Sequence, residues 1–186
     1  MTETVTRGGR RLVIGVMGSG DTGHEDLAAP LGRWIAREGY HLLTGGGGGV
    51  MAAVSEAFRG VADRSGLVIG VLPGEEDHPV CRPPPGYPNC WVELAVSTHL
   101  PLRAARGTSS MSRNHINVLT SDVVIGLPGG EGTASEMALA VRYARPCIAF
   151  LSRPDQMPDF PAEVSRVTAL DDVVTFVRRI SRRAAG

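Results

Sequence analysis

Two residues of this chain, Arg113 and Glu136, have types and settings that could act on a bound ligand, and between them lies the turn Pro128-Gly129-Gly130-Glu131-Gly132-Thr133. The apolar run Asp122 to Leu127 before the turn reads as a buried strand, and the periodicity after it predicts a helix over Thr133 to Ala144. Glycines let a backbone turn sharply and approach a ligand closely, while the free N–H groups and dipole of a helix start favour an anion. Gly129, Gly130, Gly132 and Thr133 are therefore candidate phosphate contacts, with Thr133 able either to cap the helix or to donate its hydroxyl. Glu136 follows Thr133 by three residues, so its carboxylate can point back to the mouth of the turn as a catalytic group. The same spacing is that of a capping box. Arg113 either holds an anionic group or lies on a solvated helix face.

Two further glycine turns share this strand-to-helix setting. Gly18-Ser19-Gly20 follows the strand Leu12 to Met17 and offers Ser19 or Asp21 to a ribose or phosphate. Gly45 to Gly49 follows the strand Tyr40 to Thr44; Gly46 and Gly47 could line the floor of a pocket, or the run could let the next helix pack tightly. Turns at the carboxyl ends of parallel strands all open on one edge of a sheet, where open α/β folds bind ligands.

The elements that must position these turns follow from periodicity. A helix is expected from Glu25 to Glu38, closed by Gly39, and another from Val50 to Val61. Leu67 to Leu72 reads as a strand, the proline-rich stretch Gly74 to Asn89 as a long surface loop, Trp91 to Ser97 as a strand and Gly107 to Leu119 as a helix. Cys147 to Leu151 and a segment near Val167 add strands, and Asp171 to Ile180 is an amphipathic helix. The alternation implies a doubly wound, Rossmann-like three-layer α/β/α fold with a mainly parallel sheet of six to seven strands. We read residues 1–186 as one domain, with 1–10 as a flexible tail.

Composition removes several function classes. The 19 basic residues balance 19 acidic ones, which argues against a broad nucleic-acid or membrane footprint. All the basic residues are arginine, and without lysine neither a pyridoxal-phosphate aldimine nor a Walker-type phosphate loop can be built. Cys81, Cys90 and Cys147 have no CxxC spacing, and Asp77, His78, Cys81 and Cys90 lack the tight pairing of a metal site, so reduced thiols and no metal are expected. His99 and His115 flank the presumed site without an assigned role. No apolar run approaches the ~18 residues of a membrane span and the start lacks an apolar leader segment, so a cytoplasmic protein is expected.

Arg113, then Ser121-Asp122, then the PGGxGTxxE pattern of Pro128 to Glu136 resembles the LOG family of cytokinin-activating phosphoribohydrolases, once labelled lysine decarboxylases, and the related molybdenum-cofactor carrier proteins. The resemblance runs from Ile14 to about Leu151. It implies that Arg113 and Glu136 form a catalytic pair hydrolysing the N-glycosidic bond of a nucleoside 5'-monophosphate to free base and ribose 5-phosphate. It also implies no required cofactor, an AMP-like nucleotide or the molybdenum cofactor as ligand, and a homodimer. Asn114 stands where the LOG pattern has lysine, and Gly45 to Met51 is closer to the GGxGGVM form of the carriers, which sets binding without turnover beside hydrolysis.

Overall fold

The computed structural model describes residues 10–75, 82–157 and 159–185. Chain order is β1 (Val13–Met17), α1 (Glu25–Arg37), β2 (His41–Thr44), α2 (Val50–Arg59), β3 (Val68–Leu72), β4 (Leu94–Ser97), a 3-10 turn at Ala104–Arg106, α3 (Asn114–Thr120), β5 (Val123–Gly126), α4 (Glu131–Arg142), β6 (Cys147–Phe150), β7 (Ser165–Val167) and α5 (Leu170–Ala185). The strands form one sheet of 7 in the order β4-β3-β2-β1-β5-β6-β7, and every pairing is parallel. The expected three-layer α/β/α architecture is therefore present.

Alternation along the strands divides the core between two faces. Ile14 and Val16 of β1 join Leu42, Val68 and Ile125 against Leu31 and Ile35 of α1, Phe58 of α2 and Val173 and Val177 of α5. Val13 and Met17 point the other way, with Leu43 and Val124, against Val118 of α3 and Met137 and Leu139 of α4. Each large side chain buried in this way contributes roughly 1.5–3 kcal/mol. Such continuous apolar strands are what a sheet covered on both faces requires.

Winding reverses between β1 and β5, which are neighbours although far apart in sequence: Ile14 pairs with Val123 and Met17 with Gly126. A crevice at the carboxyl ends of the strands is expected at this switch point. The turns there are tied together. Ser19 N–H donates to Pro128 O at 3.0 Å, and Val50 N–H donates to Ser19 O at 2.9 Å.

Several boundaries differ from expectation for identifiable reasons. The helix expected over Gly107 to Leu119 contracts to α3, and residues 102–113 form an irregular strap. Backbone groups there are satisfied locally: Ser112 N–H donates to the Ser109 carbonyl at 2.9 Å, and Asn114 N–H to the Ser112 side chain Oγ at 3.2 Å. Helix α4 starts at Glu131, so Thr133 lies inside its first turn and is not the cap. Arg10, expected in a flexible tail, reaches Asp122 with Nη2–Oδ1 at 2.6 Å and Nη1–Oδ2 at 2.8 Å. Asp122 also accepts from Val13 N–H at 2.9 Å, so it braces the amino ends of β1 and β5, away from the glycine turns. Residues 1–9 lie outside the described residues, as do Asp77, His78 and Cys81.

Candidate functional site

The start of α4 is open. Gly130 occupies the N-cap position and has no side chain to bond the first-turn N–H groups, although its carbonyl accepts from Ala134 N–H at 3.1 Å. The N–H groups of Glu131, Gly132 and Thr133 thus face outward at the positive end of a 12-residue helix. A Cβ on Gly130 would meet no described atom within 4 Å, and one on Gly132 would come no closer than 3.8 Å, to Ala104 Cα. These two glycines leave space for a ligand. Gly129 does something else: a Cβ there would collide with Thr133 and come 2.8 Å from Ser19 N, so it closes the joint between the turns after β1 and β5.

Arg113 sits at the last position before α3, only 6% exposed. Its guanidinium occupies the space that a side chain on Gly45 would fill. Nη1 lies 4.0 Å from Glu136 Oε1, and both Nε and Nη1 are buried without a hydrogen-bond partner among the described residues. Both bland alternatives for the pair therefore fall. Arg113 is not on a solvated face. Glu136 lies in the second turn of α4, too far along to reach back to the cap, and its Oε1 instead accepts from Asn117 Nδ2 at 2.8 Å. Burial pushes the Glu136 carboxyl above its ordinary range; Arg113 and the Asn117 hydrogen bond pull the other way and only partly offset it.

Asn117 was not singled out from the sequence. It lies four residues after Arg113, so one face of α3 presents both, and it is fully buried between apolar neighbours. A buried asparagine in helical register with a candidate arginine was the available signal, but its partner Glu136 is brought there only by α4.

Arg113, Glu136 and the start of α4 line a cleft of about 300 Å³ at the switch point. Of the residues expected there, Gly18, Ser19, Gly20, Arg113, Gly130, Gly132, Thr133 and Glu136 converge on it, and Gly46, Gly47 and Gly129 do not. Ser19 has committed its N–H to Pro128, and its Oγ accepts from Asp21 N–H at 3.1 Å and Thr22 N–H at 3.0 Å, which leaves its hydroxyl proton to offer. Gly46 and Gly47 are docking points: their carbonyls accept from Asn89 N–H and Asn89 Nδ2, both at 2.7 Å. Gly45 is the member of the run that forms the cleft wall.

Sequence reasoning missed Met51, Tyr87 and Arg103 in the wall, and Asn114 also lies there. Tyr87 and Arg103 come from segments without periodicity, so no pattern could aim them. His115 is engaged at both ring nitrogens, with Tyr143 Oη at 2.7 Å and Ser109 O at 2.8 Å, and so pins the strap to α4. Among the described residues no group of three His, Cys, Asp or Glu side chains could hold a metal ion, and no helix is long and apolar enough to cross a membrane.

The chain belongs to the SLOG cluster4 family, whose model matches residues 11–177. A protein of Archaeoglobus fulgidus described only as uncharacterized is 34% identical over 134 residues, which is 71% of this chain and 75% of that one. Among solved structures, the molybdenum cofactor binding protein of Rippkaea orientalis is 32% identical, with a TM-score of 0.72 over 92% of this chain and 98% of its own. The Moco carrier protein of Chlamydomonas reinhardtii is 27% identical, with a TM-score of 0.70 over 94% and 99%. These similarities put the chain in the Rossmann-like superfamily of LOG and molybdenum-cofactor carrier proteins.

Proposed function

We propose that this member of the SLOG cluster4 family is a nucleoside 5'-monophosphate phosphoribohydrolase, cleaving the N-glycosidic bond to free base and ribose 5-phosphate. One observation carries the reading. A buried arginine with unfilled donors stands beside a buried carboxyl, Nη1 to Oε1 4.0 Å, in a cleft whose wall includes the uncapped start of α4.

The 5'-phosphate lies against the N–H groups of Glu131, Gly132 and Thr133, with the Thr133 hydroxyl as a further donor. Arg113 fills its free donors on the sugar or phosphate oxygens. Bond cleavage leaves positive charge at the anomeric carbon, which an ionised Glu136 stabilises at close range. Water then attacks that carbon, Glu136 accepts its proton, and the proton passes to the departing base nitrogen, so that water is the only co-reactant. Burial holds this carboxyl above its ordinary range, which makes it a stronger base than an exposed glutamate towards the attacking water.

Incubating the protein with AMP and isopentenyladenosine monophosphate should release free base, followed chromatographically. No release from a panel of nucleotides at high enzyme concentration would sink the reading.

A second reading is favoured by the 32% identity to the molybdenum cofactor binding protein over nearly the full length of both chains. In it the cleft holds the molybdenum cofactor as cargo: the start of α4 receives its phosphate, Arg113 its other acceptors, and no bond is broken. The unfilled donors of Arg113 fit such a ligand as well as a nucleotide. The cofactor should then copurify with the protein and be protected from oxidation, and failure on both counts removes this reading.

A further inference from the structure

We propose that Tyr87, backed by Met51, is a stacking subsite for the planar heterocycle of a phosphorylated ligand, and that Asn89 places it there; this rests on reading the cleft as a site for a nucleotide-type ligand. Tyr87 comes from the proline-rich loop, yet its half-buried side chain is part of the cleft wall. No pairing within the sheet brings it there. Asn89 does so, through two hydrogen bonds to the turn after β2 and one that orients its own side chain. Its N–H donates to Gly46 O at 2.7 Å, its Nδ2 to Gly47 O at 2.7 Å, and its Oδ1 accepts from Trp91 N–H at 3.0 Å. The two donor bonds fasten the loop to the turn after β2, while the bond from Trp91 N–H holds the amide of Asn89 in the orientation that makes this possible.

Gly47 explains how close the ring comes. A Cβ there would stand 2.8 Å from Tyr87 Cε1 and Cζ and 2.9 Å from Met51 Cε, so ring and thioether both rest on the bare α-carbon. The result is an aromatic ring and a polarizable methyl gathered at one glycine in the cleft wall, a pair that suits a flat ring and imposes little directionality. Among the described residues the Tyr87 side chain has no hydrogen bond, so it is not held there by a polar partner of its own.

The sheet fixes how far this face lies from the anion-binding end. The turns after β2, β1 and β5 follow one another in the strand order, and neighbouring strands are ~4.8 Å apart. Gly47, on which the Tyr87 ring rests, is therefore about two spacings, ~10 Å, from the start of α4. Arg113 packs against Gly45 and meets Glu136, which places the pair between the two ends. Phosphate, sugar and ring laid in that order put the ring on Tyr87.

Calorimetric titration of the full chain tests this with AMP, ribose 5-phosphate and a pterin carrying a phosphomonoester, on the wild type and on Tyr87→Phe, Tyr87→Ala and Asn89→Ala, each first checked for an unchanged melting temperature. AMP should bind more tightly than ribose 5-phosphate. Tyr87→Ala should weaken AMP by about tenfold or more and leave ribose 5-phosphate within about twofold, the range expected for a lost aromatic stack. Tyr87→Phe should retain AMP binding, and Asn89→Ala should follow Tyr87→Ala. If Tyr87→Ala leaves AMP unchanged, or weakens both ligands equally, the subsite is overturned. If the wild type binds ribose 5-phosphate but gains nothing from a ring, the subsite falls while the anion end stands. If only the pterin binds, and depends on Tyr87, the subsite stands and hydrolysis of nucleotides falls. If none binds, both readings fall together.

Discussion

At the scale of single residues, the energetics of the site turn on Glu136, 8% exposed and with its carboxyl pushed up by burial. The sign of the resulting pH effect follows from linkage. Below the ordinary value of 4.5 the carboxyl is protonated in both folded and unfolded chains and contributes nothing. Above it the unfolded chain ionises first, so Glu136 lowers stability progressively until the pH passes its folded value. Glu136→Gln, which keeps an acceptor for Asn117, should therefore raise the melting temperature at pH 7, with the gain shrinking towards pH 4.5. An unchanged or lowered melting temperature at pH 7 would contradict this. The same substitution should cut hydrolysis by roughly 10²- to 10⁴-fold, the usual worth of a positioned acid or base. Asn117→Leu removes a hydrogen bond that favours the ionised form, so it should move the acidic limb of the pH–rate profile upward; an unmoved limb would show that Asn117 does not act through Glu136.

Among the elements, α4 is the one whose stability and binding role conflict. An acidic side chain at Gly130 would cap the open N–H groups and occupy the space left for an anion. Gly130→Asp should hold or slightly raise the melting temperature, by a few tenths of a kcal/mol in stability, while abolishing the thermal shift given by AMP or phosphate. A preserved ligand shift in that variant would mean that the start of α4 is not where the anion binds. At the amino end of β2, His41 accepts Leu67 N–H at Nδ1, 3.1 Å away. Burial, then Arg11 and Arg10, hold this imidazole below its ordinary value of 6.5. The native state thus keeps His41 neutral, and its contribution is complete above pH 6.5 and is lost as the pH falls from there through the folded value. Melting temperatures measured from pH 7.5 to 5 should decline less for His41→Leu than for the wild type; parallel curves would rule out this coupling.

For the molecule as a whole, β4 is an edge strand whose Leu94 and Val96 are 48% and 38% exposed. Apolar side chains left bare on an edge strand favour association. We propose that the chain works as a homodimer, as the resemblance implies, and sedimentation should return twice its 19.6 kDa; the mass of one chain would overturn this. The amino-acid order by itself determined the strands, the start of α1 at Glu25 and the three glycine turns, because apolar periodicity and glycine's backbone freedom act locally. It also located Arg113 and Glu136. What it could not determine was their state: whether they were solvated or buried, and whether Glu136 capped its helix or faced a neighbour. Those outcomes depend on α3, α4 and the turn after β2 meeting across the switch point, through contacts between residues as distant as Gly45, Asn117 and Glu136. The same holds for Tyr87, which no local pattern aims at the cleft and which only the Asn89 clamp on Gly46 and Gly47 brings there. Tertiary packing decided these points because desolvation and hydrogen-bond partners are set by what lies nearby in space, and the sequence encodes that only through the completed fold.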